Sequence, residues 1–170
     1  MPYSNSTFDQ AIKDFIINHR MTKYLDIGAG AGKYGSMIKK AIPLAFVEAV
    51  EIDKKYIIEF QLHKIYNMIH NCDINNFIDD NPDYVTDVVI IGDCIEHLRK
   101  SIGLDLINYF VYRCKYIIII FPSKYIQYSW CGHSHEAHIS VWSEKDFVNF
   151  DHSFIKQNQM NMVIIKGYIN

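Results

Sequence analysis

The chain has 170 residues, 49% of them hydrophobic, which suits one domain with a sizeable core and excludes a stapled mini-protein. A formal net charge of −2 creates no field that would gather the protein on a polyanion, so duplex nucleic acid and anionic membrane are disfavoured as main partners. Cys72, Cys94, Cys114 and Cys131 lie far apart with no C-x-x-C pair, against both a disulfide framework and a sulfur-ligated zinc site. Residues 1–20 lack a signal-peptide pattern, and no apolar run approaches the roughly 20 residues that span a bilayer, so a cytoplasmic protein is expected.

Phe8, Ala11, Ile12, Phe15 and Ile16 recur at helical spacing behind Ser6 and Thr7, whose hydroxyls suit the free N–H groups of a first turn. An opening amphipathic helix follows from that. Residues 23–27 read as a short apolar strand stopped by Gly28, then a glycine-rich stretch to Gly35 runs into a helix over 34–42. The alternation continues with a strand over 46–52, a helix over 54–66 with Ile58, Leu62 and Ile65 on one face, and a strand over 68–72. The continuous apolar runs DVVIIG (87–92) and KYIIIIF (115–121) are strands of the kind that helices cover on both faces of a parallel sheet, with a helix over 104–113 between them. After a polar and aromatic loop, Ser143 and Asp146 resemble a capping box for a short helix through Phe150, and strands near 154–157 and 162–168 close the chain as an antiparallel hairpin. The expected fold is an open, doubly wound α/β sheet whose ligand sits beyond the C-terminal strand ends, where strand order reverses.

The segment LDIGAGAGKYG puts Gly28, Gly30 and Gly32 between a strand and a helix, where a missing Cβ lets the backbone approach a nucleotide-like cofactor. A Walker-type phosphate loop fails, because Gly28 to Gly32 is one residue short and Tyr34 stands where Ser or Thr would hold magnesium. The dinucleotide pattern G-x-G-x-x-G fits only loosely through Gly35, which keeps an NAD-dependent oxidoreductase as an alternative. Asp26 favours a different cofactor: an acid at a strand end repels pyrophosphate but can orient a cationic amino group. Glu51, ending the next strand, is placed to accept both hydroxyls of a ribose, with Asp53 as second choice and a helix start as its plainer role.

LDIGAGAGKYG, VEAVEID, CDINNF and DVVIIGDCIEHL, in that order over roughly residues 23 to 121, resemble the successive cofactor motifs of class I, Rossmann-like S-adenosylmethionine-dependent methyltransferases of the small-molecule type. The resemblance implies a mostly parallel seven-stranded sheet with helices on both faces and the last strand antiparallel. It also implies S-adenosyl-L-methionine (SAM) as cofactor. Asp26 and the backbone of Gly28, Ala29, Gly30 and Gly32 would then seat the methionine portion, and Glu51 with Ile52 the ribose. Asp73 and Ile74 would meet the adenine, while Asp93, Cys94 and His97 would line the methyl-donor pocket. For Asp73 the residues alone equally suit a turn-forming acid before Asn75 and Asn76.

Methyl transfer from a sulfonium depends chiefly on positioning the acceptor, with a base needed only for some acceptors. Candidates lie in SWCGHSHEAHISVW, where His133, His135 and His138 flank Glu136 and the tryptophans Trp130 and Trp142 would form an apolar wall. His138 is the first choice as base, with Glu136 or a carbonyl fixing its tautomer. The three histidines, with Glu136 or Cys131, also make a metal reading, but the spacing is not H-E-x-x-H and no metal is assigned. IGDCIE replaces the Asn/Asp-Pro-Pro-aromatic motif of base-amino methyltransferases, and no Pro-Cys motif for cytosine chemistry appears. The expectation is a single 170-residue domain methylating an oxygen or nitrogen of a small molecule such as a sugar. A catalytically idle SAM-binding subunit stands as a further alternative, and the Tyr-rich surface admits a homodimer.

Overall fold

The computed structural model describes residues 3–124 and 137–169. Seven strands, β1 Lys23–Ile27, β2 Phe46–Val50, β3 Met68–His70, β4 Val88–Gly92, β5 Tyr116–Pro122, β6 His152–Gln157 and β7 Met160–Lys166, form one sheet. Their order is β3-β2-β1-β4-β5-β7-β6. The first five run parallel, and β7 enters antiparallel between β5 and β6. The helices are α1 Asp9–His19, α2 Lys33–Ala41, α3 Lys54–Glu59, α4 Ile74–Asp80 and α5 Lys100–Val111.

β4 explains why the sequence carries unbroken apolar runs: all five of its residues are buried. Val88 and Ile90 pack with Ile12 and Ile16 of α1 and Ile38 of α2, while Val89 and Ile91 pack with Phe77 of α4 and Leu106 and Phe110 of α5. A strand with helices on both faces has no solvent side to make polar. Each such buried aliphatic contributes about 1.5–3 kcal/mol of transfer free energy. No helix among the described residues is long and apolar enough to cross a membrane.

The element order agrees with the sequence reading, and the departures have local causes. The expected helix over 54–66 breaks because Gln61 adopts left-handed backbone at φ 50°, leaving α3 and a separate 3-10 turn, Leu62–Lys64. That break exposes Ile58 and turns Leu62 fully inward. α4 was not expected: Asp73 accepts the amide of Asn75 and so starts a helix where the Asn pair reads as a turn. α1 has no side-chain cap; Asn5 Oδ1 instead accepts from the amide and hydroxyl of Thr7. The capping box does form, with Ser143 and Asp146 exchanging bonds over the 3-10 turn Glu144–Phe147.

Candidate active site

Parallel pairing brings the motif-bearing strand ends to one edge of the sheet. Ile27 of β1 is in register with Val50 of β2 and Ile91 of β4, so the residues that follow them emerge side by side. β1 and β4 are neighbours, yet the chain leaves β1 toward β2 on the other side, so this is the reversal point of the strand order. A cavity of about 850 Å³, counting its open mouth, lies there. Its walls include Gly28, Gly30, Glu51, Asp73, Asp93 and His97, with Ile52, Tyr56, Ile74 and Cys94 supplying apolar surface. Three carboxylates and not one Lys or Arg face it among the described residues.

Glu51 organises the glycine loop. Its Oε2 accepts the Gly30 amide at 2.8 Å and its Oε1 accepts the Asp53 amide at 2.8 Å, tying the end of β2 to the turn after β1. Burial pushes its carboxyl above the ordinary value, opposed by those amides. Gly28, at φ 73°, approaches β4 so closely that a Cβ there would stand 2.6 Å from Cys94 Sγ. Asp73 both lines the cavity and caps α4, a helix start in place of the turn that the residues alone suit. Asp53 serves as the cap of α3, its plainer role. Asp93 has left-handed backbone at φ 49° and accepts the Asn5 amide at 2.8 Å. Burial raises its carboxyl to about 6, against the pull of the Asn5 amide and the Lys33 charge.

Three residues expected at the cofactor do not line this cavity. Asp26 is fully buried below the loop and does not line the cavity; its Oδ2 accepts the Tyr66 hydroxyl at 2.5 Å. Burial raises this carboxyl to about 7, against the pull of the Tyr66 hydroxyl and the Gly35 backbone. Ala29 turns into the core beside α2. Gly32 begins α2 at φ 75°, where a Cβ would stand 2.7 Å from Ile65, so it serves packing rather than ligand approach.

A second cavity, about 920 Å³ with its mouth, adjoins the first and shares Asp93 and His97 with it. Tyr3, Asn5, Glu96, His138, Asn158 and Gln159 complete its polar wall. His138 is brought there because the amides of Ile139 and Ser140 both donate to the Glu96 carbonyl, at 2.9 and 3.1 Å, laying residues 137–140 along the turn after β4. His97 Nδ1 lies 3.1 Å from the Ala137 carbonyl, which puts the ring proton on Nδ1. The His97 and His138 rings meet edge to face, 4.8 Å between centroids. Glu96 is 3% exposed, with Oε1 4.0 Å from His138 Nε2 and Oε2 without a hydrogen-bond partner. Burial first, and the nearby Asp93 charge second, push its carboxyl well above the ordinary range.

Trp142 is not a wall of this cavity. It is 1% exposed, stacked on Phe147, with Nε1 donating to Ser140 Oγ at 2.8 Å. Its Nε1 also lies 3.3 Å from the Ile95 carbonyl, tying its segment to the turn after β4, a different use from the one expected. His133, His135, Glu136, Trp130 and Cys131 lie outside the described residues. Tyr3 and Asn5 carry no motif, and only the folding of the N-terminal segment onto the Asp93 turn brings them to the second cavity.

No family model matches the sequence, and no curated protein matches it. Solved structures do. An O-methyltransferase family protein from Burkholderia thailandensis superposes with TM-score 0.66 at 11% identity, over 93% of this chain and 54% of that one. This chain therefore spans about half the length of that protein. Magnesium protoporphyrin IX methyltransferase from Synechocystis PCC 6803 with bound SAM gives TM-score 0.68 at 15% identity, over 95% and 78% of the two chains. The plantazolicin methyltransferase in complex with S-adenosylhomocysteine (SAH) gives 0.67 at 14%, over 96% and 86%. The chain thus has the class I methyltransferase fold, including the antiparallel β7 that departs from the 3-2-1-4-5-6 order of dinucleotide-binding folds.

Proposed function

We propose that this protein binds SAM in the cavity at the strand reversal and transfers its methyl group to an oxygen or nitrogen of a small molecule held in the adjoining cavity. The observation that carries this reading is the charge of the first cavity. Its carboxylates suit a cofactor bearing an ammonium, a sulfonium and a ribose diol, and would repel a diphosphate. The neighbouring proteins with bound SAM or SAH support the same choice.

In this reading Glu51, already fixed by two loop amides, offers its remaining lone pairs to the ribose hydroxyls. Asp73 and Ile74 flank the adenine, with the acid toward the amino group and the aliphatic side chain on the ring face. The backbone around Gly28 and Gly30 receives the methionine portion, and Asp93 and Cys94 border the sulfonium. When bound, the cofactor supplies a methyl carbon already activated by positive sulfur. The acceptor's proton passes to a base, for which His138 is placed at the second cavity, with Glu96 beside it to orient the ring. Holding donor and acceptor on either side of Asp93 and His97 supplies the larger part of the rate.

Calorimetry with SAM and SAH, and a methyl-label transfer assay over hydroxyl- and amine-bearing acceptors, tests the proposal. Binding of both cofactors with turnover is the expected outcome. NAD binding with no response to SAH would overturn it, and SAH binding without turnover on any acceptor would favour an idle regulatory subunit.

A further inference from the structure

Glu96 and His138 stand 42 positions apart in the chain, and the fold makes them neighbours on one wall of the second cavity. With His97 they offer one carboxylate oxygen and two imidazole nitrogens, all within 4.8 Å of one another. Metal–ligand bonds of about 2.0–2.2 Å place adjacent ligand atoms about 3.0–3.5 Å apart, so side-chain rotations of about 1 Å would close this set on an ion.

Three further observations point to a cation. Glu96 Oε2 is buried with no hydrogen-bond partner, an arrangement that otherwise leaves the full desolvation penalty of a polar atom standing. Asp93 faces the same cavity, and no Lys or Arg among the described residues lines it, the Lys33 charge acting on Asp93 from outside the cavity wall. His97 Nδ1 lies 3.1 Å from the Ala137 carbonyl, the kind of backbone contact by which metal-binding histidines are ordinarily oriented.

We propose that Glu96, His97 and His138 form a divalent transition-metal site on the wall of the second cavity, with open coordination positions toward the acceptor. Two imidazoles with one carboxylate suit Zn²⁺, Mn²⁺, Fe²⁺ or Co²⁺ over Mg²⁺ and Ca²⁺, which prefer all-oxygen sets. Three protein ligands leave room for an exogenous one, as in catalytic rather than structural sites. A hydroxyl binding there loses its proton more readily, since a cation favours the alkoxide, and with the His138 lone pair on the ion that proton leaves to solvent water rather than to His138, which then acts as ligand in place of base. This selects an oxygen acceptor, an alcohol or vicinal diol, over an amine whose lone pair the ion would occupy. The metal site stands on the cluster itself; its role toward an acceptor rests on the function proposed above.

The test uses the full chain, purified without nickel affinity and freed of metal by chelator. Co²⁺ is titrated while its visible d–d absorption is followed, Mn²⁺ and Zn²⁺ are titrated by calorimetry, and SAH is titrated into the same protein. One tight equivalent is expected, weakened about 10–100-fold or more in Glu96→Gln and in His138→Ala. Far-ultraviolet circular dichroism and retained SAH binding would certify that those variants are folded. The double variant His133→Ala/His135→Ala is expected to keep the Co²⁺ spectrum. No binding of any of the three ions, or unchanged binding in both Glu96→Gln and His138→Ala, would overturn the site. So would loss in the His133/His135 variant with retention in His138→Ala. Metal binding without SAH binding would uphold the site and defeat the methyltransferase reading, whereas SAH binding without metal would defeat this inference alone.

Discussion

Replacing Asp26 by Asn tests how the fold treats the acid beneath the glycine loop. The carboxyl is fully buried, and its value of about 7 in the folded chain compares with an ordinary 3.8. A folded value above the unfolded one means that the native state holds this proton more tightly. The associated stability is present in full below pH about 3.8, declines as pH rises and is lost above about 7. At about 1.4 kcal/mol for each tenfold change, ionised Asp26 costs up to about 4 kcal/mol at pH 8. Asn has the same shape, can still accept from the Tyr66 hydroxyl, and never ionises. Asp26→Asn is therefore expected to match the natural protein near pH 4 and to exceed it by about 2–4 kcal/mol at pH 8. With a urea slope of about 2 kcal/mol/M, that gap is a midpoint shift of about 1–2 M. Urea denaturation at both pH values, with the slope checked for constancy, measures it. A variant less stable than the natural protein at pH 8, or a difference independent of pH, would refute the reasoning.

Gly28→Ala combines left-handed backbone at φ 73° with a Cβ 2.6 Å from Cys94 Sγ, and is expected to lose about 2–4 kcal/mol in chemical denaturation along with SAH binding. Glu51→Ala leaves the Gly30 and Asp53 amides without their acceptor and is expected to weaken SAH at least about 100-fold by calorimetry, far more than Asp26→Asn does. Trp142→Ala empties a core position at 1% exposure, with an expected loss of about 3–5 kcal/mol in the same denaturation assay. An exposed substrate wall would show almost none. Asp73→Ala removes a helix cap, expected to lower stability by about 1 kcal/mol while reducing SAH affinity by a larger factor.

Most of the first cavity's polar lining was legible before folding, because each of its elements is local. A strand ends, a glycine turn or an acid follows, and parallel pairing collects such ends along one edge whatever the rest of the chain does. Gly28, Gly30, Glu51, Asp73 and Asp93 needed no long-range contact to be singled out, and all of them line one cavity. Where the reading went astray, the deciding quantity was not local. α4 depends on whether the Asp73 side chain turns to cap or to bend, and the split of the 54–66 helix on the backbone of one residue, Gln61.

Sequence alone determined the α/β order, the glycine loop and the acids at the strand ends, since periodicity and strand-end chemistry are properties of neighbouring residues. Only the tertiary structure decided that Asp26 lies buried under the loop against the Tyr66 hydroxyl, that Trp142 is core, and that Glu96, His97 and His138 share one wall. Burial, and the electrostatics that follow from it, are set by what packs against a residue from far along the chain. No pattern of spacing within either segment encodes that Ile139 and Ser140 will donate to the carbonyl of Glu96.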